Sequence, residues 1–213
     1  MESSARLANT AEYWPGESSI IRSNPSKKIG IINGSIRGTR NTEPVAKYAH
    51  EIAVQREGDV EYEYVDLAEY NVPLLTGDVH PMVANKNHED PNVQKWSDKI
   101  DSLDAFIFVT PEYNHGVPGG FKNAVDVLGP EWVGKPVAFI GHGAVGGVRA
   151  IEQWRQIVAN FSMPVVRAEL NFNLFFDWKD GEFSPADRHP AEMNAMFDQL
   201  EELVTKHRAS VTV

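Results

Sequence analysis

Five short apolar runs alternate with longer amphipathic stretches along most of the chain, and this alternation limits the possible folds more than any other feature. The runs, which we interpret as strands, are residues 28–33, 60–65, 105–109, 136–140 and 164–170. The stretches that we interpret as helices are residues 41–56, 91–102, 120–128, 147–160 and 190–207. Strands that alternate with helices of this length are typical of a parallel sheet covered by helices on both faces.

The length of 213 residues fits one domain with an additional segment, since a domain takes roughly 100–200 residues. Residues 1–26 are rich in Ser, Asn, Glu and Pro and have no periodicity, which predicts an irregular N-terminal extension before a single domain at 27–213. No apolar run approaches the roughly 18 residues of a membrane span, and the first residues lack the apolar core of a secretory signal. We therefore expect a cytoplasmic protein that does not bind a membrane.

The composition excludes several classes of function. The chain has no cysteine, so it can form no disulfide scaffold, thiolate zinc site, iron–sulfur cluster or cysteine nucleophile. Its 30 acidic and 20 basic side chains argue against nucleic-acid binding, which depends on Lys and Arg. There is no GxSxG motif, and the seven histidines form no pair with metal-ligand spacing, so no metal site is predicted. Five histidines lie outside the loops discussed below, and most of them are expected to be solvated: His50, His80, His88, His189 and His207.

In an open parallel sheet, ligands bind beyond the carboxyl ends of the strands, so the loops that follow the strands carry the functional signal. The first such loop, residues 34–42, contains two glycines, three hydroxyls and two arginines, and it leads into a helix with Pro44 in its first turn. These donors next to a helix N-terminus predict a site for a terminal phosphate. The loop is not GxxxxGK[ST], which disfavours a nucleotide triphosphatase. A polar turn with solvated arginines is the alternative.

The loop after the third strand, residues 110–120, is unusually long and contains two prolines, three glycines and Tyr113. Its irregular backbone would leave N–H and C=O groups free, and the tyrosine offers a flat face, so the loop suits a planar heteroaromatic ligand. The alternative is a structural crossover in which Tyr113 packs in the core.

The loop after the fourth strand contains GHGAVG at residues 141–146, which matches the GxGxxG dinucleotide fingerprint. That fingerprint normally follows the first strand of its unit and has an acidic residue about 20 positions later. Here it follows the fourth strand, and only Glu169 lies in the next strand, so a flat ligand beside the glycines is favoured over a pyrophosphate. His115 and His142 lie in the two ligand loops and are candidates for donating to a reduced cofactor or a quinone oxygen; side chains facing water are the equal alternative.

These loops together resemble the NADPH-dependent FMN reductase family of quinone, azo-dye and chromate reductases. The resemblance covers about residues 28–205 and depends on the order and spacing of residues 34–46, 109–126 and 141–155. It implies an α/β fold, the flavodoxin-like three-layer sandwich with a five-stranded parallel sheet of order 2-1-3-4-5.

By this resemblance the first loop binds the FMN phosphate, the second surrounds the isoalloxazine and the third lies along the ring. Many members have serine at the position of Arg40, and an aromatic or small residue is common at His142. The implied cofactor-binding residues are Ser35, Arg37, Arg40, Asn41, Thr42, Pro111, Glu112, Tyr113, Asn114, His115, Gly116, His142, Gly143 and Ala144.

The family reaction would transfer a hydride from NADPH or NADH to flavin N5 and then two electrons to a quinone, free flavin or similar small acceptor, in a ping-pong cycle. The cofactor performs this chemistry, so no side chain is assigned as catalytic beyond the candidates His115 and His142. The resemblance also implies a homodimer or tetramer, for which the apolar segment 72–84 is a candidate contact or lid. An FMN-binding electron carrier or redox sensor with little NAD(P)H turnover, and an NAD(P)-dependent Rossmann dehydrogenase, are the alternatives.

Overall fold

The computed structural model describes residues 27–211, with side chains described as far as Lys206. The predicted N-terminal extension, residues 1–26, lies outside the described residues. Five parallel strands form one sheet in the order β2-β1-β3-β4-β5, which confirms the predicted fold class. The strands are β1 Lys27–Asn33, β2 Val60–Asp66, β3 Ala105–Pro111, β4 Val137–Gly143 and β5 Val165–Asn173, and a small hairpin joins β6 Trp178–Lys179 to β7 Glu182–Phe183.

The five predicted helices are also present, with ends that differ from the predicted ones by at most about four residues. The helices are α1 Thr42–Ala53, α2 Pro81–Ala84, α3 Pro91–Asp101, α4 Gly119–Asp126, α5 Val148–Ala159 and α6 His189–Val211. The one-turn helix α2, the 3₁₀ turn Leu67–Tyr70 and the β6–β7 hairpin were not predicted. Each is shorter than the window over which hydrophobic periodicity can be measured. No helix within residues 27–211 is long and apolar enough to cross a membrane.

Two apolar layers hold the helices against the sheet. Every residue of β3 is buried, and its side chains alternate between the layers, Phe106 and Phe108 facing α3, α4 and α5 while Ile107 faces α1 and α6. The layer of α3, α4 and α5 contains three fully buried indoles, those of Trp96, Trp132 and Trp154. Each indole N–H has a partner, Trp96 and Trp132 donating to the carbonyls of Ala124 and Val125, and Trp154 to Thr110 Oγ1 at 2.9 Å.

The three candidate ligand loops meet at the carboxyl edge of the sheet, because β1, β3 and β4 are adjacent, parallel strands. Asn33 of β1 pairs with Val109 of β3, and Pro111 of β3 pairs with His142 of β4. The strand order reverses between β1 and β3, because β2 lies on one side of β1 and β3 on the other. Ligands bind at this point in folds of this kind.

The segment 72–84 lies over α4 and is held there by Asn123, which donates to the Pro73 carbonyl and accepts from the Leu75 N–H at 2.9 Å. Much of the segment stays open to solvent, with Leu74 75% and Val83 74% exposed.

Two of the histidines named above are withdrawn from solvent, His189 being buried and the His88 side chain largely buried, which corrects the prediction for both. The His207 side chain lies outside the described residues. His88 contacts the fully buried Glu131 at 2.9 Å, and Ser97 Oγ and the Gly129 N–H also donate to this carboxylate. Burial alone would raise the pKa of Glu131, but these hydrogen bonds hold it below its usual value. His189 is fully buried and lies 2.9 Å from Asp177.

Candidate functional site

A cavity of about 420 Å³ opens at the carboxyl edge of the sheet, between the loops that follow β1, β3, β4 and β5. This volume is in the range of sites for small molecules and cofactors. The lining residues are Ser35, Arg37, Thr39, Arg40, Asn41, Thr42, Pro111, Glu112, Tyr113, His142, Gly143, Ala144 and Leu174. Eleven of these thirteen were predicted from the three loops, so the fold brings together segments about 100 residues apart.

Sequence reasoning missed Thr39 and Leu174. The hydroxyl of Thr39 lies within the first loop and could have been assigned with its neighbours. Leu174 follows β5, which continues to Asn173, three residues beyond its predicted end. Beyond Leu174 the loop turns outward, and Phe175 and Phe176 are 69% and 82% exposed.

The side chain of Asn33 holds together the two ends of the loop between β1 and α1. Its Oδ1 accepts from Thr42 Oγ1 at 2.8 Å and from the Ser35 N–H at 3.5 Å, so the last residue of β1 fixes both ends of the loop. Helix α1 begins at Thr42, and its N-cap Asn41 makes no side-chain capping hydrogen bond. Asn41 and Thr42 line the cavity, so the positive dipole end of α1 lies next to it, which favours an anion; of the first-turn N–H groups, that of Glu43 donates to the Arg40 carbonyl at 3.3 Å.

The two arginines of this loop have different surroundings. Arg37 is exposed, and its Cζ lies 5.9 Å from the centre of the Tyr113 ring. Arg40 is largely buried and contacts Asp66 and Glu43. Burial acts against its charge, but these carboxylates outweigh burial and raise the pKa of Arg40 above its ordinary value.

The loop between β3 and α4 contains a tight turn beside the cavity. Tyr113 and Gly116 exchange backbone hydrogen bonds of 3.0 and 3.1 Å, and the residues between them, Asn114 and His115, have φ of 51° and 66°. Two successive left-handed residues match a type I′ turn. Gln153 of α5 holds this turn by donating to the His115 carbonyl and accepting from the Val117 N–H.

The turn places three predicted residues next to the cavity rather than in its lining: Asn114, His115 and Gly116. Tyr113 does line the cavity, and its hydroxyl lies 3.0 Å from Ser35 Oγ. This contact joins the first and second ligand loops.

Glu112 faces the N-terminus of α5 with a side chain that is only 8% exposed. One carboxylate oxygen accepts from the backbone N–H of Arg149 at 3.0 Å, and the other contacts the Arg149 guanidinium at 2.6 Å. The helix that follows the GxGxxG sequence thus has a carboxylate of this chain at its positive end. A pyrophosphate there would meet a like charge, so the geometry disfavours the dinucleotide interpretation of residues 141–146.

The glycines of that sequence serve close backbone packing. A Cβ at Gly141 would lie 2.3 Å from the Gly146 carbonyl oxygen, and Gly146 and Gly147 have φ of 76° and 74°. The loop thus folds back tightly against the end of β4 before α5 begins, which only glycine allows.

His142 is buried at the base of the cavity, with its ring 4.5 Å from that of Trp178. Its Nδ1 lies 3.3 Å from the carbonyl oxygen of Phe172. Burial lowers the pKa of His142, and the Phe172 carbonyl and Asp177 only partly offset this effect. The imidazole is therefore neutral at neutral pH. Within the described residues, no group of three or more acidic or histidine side chains is arranged to hold a metal.

Comparison with protein families gives one model that matches residues 27–177, that of NADPH-dependent FMN reductase. A similar curated protein is the NAD(P)H-dependent FMN reductase ntnL of Nectria sp, 41% identical over 129 residues, which cover 59% of this chain and 64% of that one. The matched segment thus spans slightly less than two thirds of the Nectria protein. The NAD(P)H-dependent FMN reductase LOT6 of Saccharomyces cerevisiae is 32% identical over 147 residues, covering 65% of this chain and 77% of that one.

Among solved structures, the flavoenzyme NAD(P)H:(acceptor) oxidoreductase FerB of Paracoccus denitrificans has a similar fold. Its TM-score is 0.64 at 22% identity, over 85% of this chain and 98% of that one. At this identity the likeness concerns the fold alone.

Proposed function

The chain belongs to the NADPH-dependent FMN reductase family, and from this premise we propose that it is an FMN-dependent NAD(P)H oxidoreductase that reduces a small-molecule acceptor such as a quinone or free flavin. The observation that carries the proposal is that the three loops after β1, β3 and β4, together with Leu174 after β5, line one cavity. When bound, FMN supplies the two-electron chemistry that no side chain of this cysteine-free chain provides.

The residues present fit the phosphate end of FMN. The uncapped start of α1 and the exposed guanidinium of Arg37 supply donors and positive charge at one end of the cavity. Ser35, Asn41 and Thr42 complete the proposed phosphate set, and the role of Arg40, which also lines the cavity, is considered separately below.

The other residues that line the cavity fit a planar ring. Pro111, Tyr113 and Leu174 provide apolar and aromatic surface, while Gly143 and Ala144 leave room for a flat group beside the backbone. The carboxylate of Glu112 is paired with Arg149, so it presents no free negative charge to the ring. We propose that Asn114, His115 and Gly116 border the ring from the adjacent turn. His142 is neutral, and its one N–H faces the Phe172 carbonyl oxygen, so its other ring nitrogen can accept a hydrogen bond.

Since one side of this cavity is open, we propose that NAD(P)H and the acceptor use the same open face in turn, which gives ping-pong kinetics. We also propose a homodimer in which segment 72–84 forms the contact. Its exposed apolar side chains support this assignment: Leu74, Leu75, Val79, Met82 and Val83.

The proposal is tested by the colour and turnover of the purified protein. The expected result is a yellow protein that releases FMN on denaturation and oxidises NADPH or NADH in the presence of a quinone, with parallel double-reciprocal plots. Negligible NAD(P)H oxidation by the FMN-loaded protein would instead support the electron carrier. The cofactor assignment is refuted if the protein neither releases FMN on denaturation nor binds added FMN.

The phosphate assignment is tested by Arg37→Ala. Loss of one charge-assisted hydrogen bond weakens binding by about 1.5–3 kcal/mol, so the Kd for FMN should rise about 10-fold to 150-fold. Binding of riboflavin, which lacks the phosphate, should change little. Arg167→Ala is the control, because Arg167 is exposed near the opposite end of β5. An unchanged Kd for FMN in Arg37→Ala would contradict the assignment.

A further inference from the structure

The guanidinium of Arg40 is already engaged by the protein on several sides. Its Nη1 donates to Asp66 Oδ1 at 2.9 Å and to the Ser35 carbonyl at 3.0 Å, its Nη2 contacts Asp66 Oδ2, and its Nε donates to Glu43 at 3.3 Å. Both members of the Arg40–Asp66 pair are largely buried, with side chains 12% and 10% exposed. Such a fork-to-carboxylate arrangement fixes the planes of both groups.

We propose that Arg40 and Asp66 form a positioning pair that holds the phosphate loop in its binding shape, rather than Arg40 serving as a direct ligand of the phosphate. The proposal rests on the FMN-binding function given above. It adds Asp66, which none of the sequence motifs includes, to the residues that determine cofactor affinity.

The position of Asp66 explains how the pair acts. Asp66 is the last residue of β2 and pairs in register with Asn33, the last residue of β1. Its Oδ1 also accepts from the Ala68 N–H at 3.0 Å, which fixes the carboxylate to the turn after β2. Through Arg40 this fixed carboxylate reaches the Ser35 carbonyl and so sets the path of the loop after β1.

Charge supports the same assignment. A phosphate that bound Arg40 directly would have to compete with Asp66 and Glu43, which both contact its guanidinium. Arg37, in contrast, pairs with no carboxylate among the described residues, so its charge is available to the ligand. If Arg40 were lost, the partly buried Asp66 would remain unpaired beside the phosphate and would repel it.

The variant Asp66→Asn separates the two roles, because they predict changes of opposite sign. If Arg40 is a phosphate ligand held back by Asp66, the substitution frees it and the Kd for FMN falls. If the pair positions the loop, the Kd for FMN rises, by about 10-fold or more for the loss of a charge-assisted contact. Fluorescence titration of the cofactor-free protein measures this Kd, and a fall or no change would overturn the proposal.

The conservative variant Arg40→Lys is the second test. Lysine binds phosphate well as a point charge but cannot reproduce the planar fork. A positioning role therefore predicts that Arg40→Lys raises the Kd for FMN above the wild-type value although the positive charge beside Asp66 is kept, and recovery of wild-type affinity would refute it. The Kd for riboflavin should change much less than that for FMN, whereas equal changes in both would indicate general loss of structure and contradict the proposal.

Arg155→Lys is the matched control, because Arg155 pairs with Glu169 at 2.6 Å on α5 and β5, away from the cavity-lining loops. It should leave both Kd values unchanged. If wild-type protein binds neither FMN nor riboflavin, the proposed function fails, and the pair is then judged in the cofactor-free protein. There, thermal melts of Arg40→Lys, Asp66→Asn and the double variant should be non-additive, and additive shifts would refute the pair itself.

Discussion

Replacement of Glu112 by alanine tests whether the N-terminus of α5 is stabilised, and closed to anions, by a carboxylate from β3. The hydrogen bond from the Arg149 N–H resembles a capping interaction, which contributes about 0.5–2 kcal/mol. The Arg149 side chain is 43% exposed, so its ion pair with Glu112 adds at most about 1 kcal/mol. We therefore expect Glu112→Ala to lower the free energy of unfolding by about 0.5–3 kcal/mol in total.

Thermal unfolding of the cofactor-free protein measures this effect. At about 2–4 °C per kcal/mol for a domain of this size, the Tm should fall by about 1–12 °C. Arg149→Ala removes the ion pair but leaves the carboxylate on the backbone N–H, so its Tm should fall by no more than about 4 °C. The difference between the two variants isolates the capping contribution.

Equal and small shifts for Glu112→Ala and Arg149→Ala would refute the reasoning, since the capping bond would then contribute nothing. Glu112→Gln provides a further check, because its amide oxygen can still accept from the Arg149 N–H without the negative charge. We expect its Tm to lie between those of wild type and Glu112→Ala.

Two further predictions concern the buried histidine and the exposed segment. The pKa of His142 is lower in the folded protein than in the unfolded chain, so the free energy of unfolding should decline as the pH falls through about 6.5. Urea unfolding of His142→Gln should show a shallower decline between about pH 7 and 5. A decline as steep as that of the wild type would contradict the lowered pKa. Replacing Leu74 and Val83 by serine should convert the proposed homodimer to monomers, as measured by light scattering. The control Val54→Ser changes a side chain that is 55% exposed on another face, and it should leave the dimer intact. A monomeric wild type would contradict the dimer.

Much of the fold could be predicted because the apolar pattern depends on burial alone. Residues 105–109 are apolar without interruption, as expected for a strand covered on both faces, and they form the fully buried centre of β3. The loops then followed from topology, since parallel neighbours end at one edge.

What the sequence left open depends on partners that are distant along the chain. The pattern at 141–146 fits a dinucleotide motif, and its place after the fourth strand argues against that motif from sequence alone. The carboxylate of Glu112, from another strand, is a further argument that only the structure supplies. Arg40 has the appearance of a phosphate ligand until Asp66, 26 residues later, is seen to engage it. His189 lies in a polar stretch of sequence and yet is buried against Asp177. No local pattern contains these pairings.

The distribution of tryptophan has a consequence for how unfolding of this protein can be followed. Three of its five indoles are fully buried, and all three lie in the layer of α3, α4 and α5. Within the described residues, the opposite layer has only Trp178, at its margin beside His142. Of the four indoles among residues 27–211, three thus report on one side of the sheet. Loosening of α1 or α6 alone would leave the emission of these three almost unchanged and would alter that of Trp178, so circular dichroism or hydrogen exchange is the better measurement for such a partly opened state.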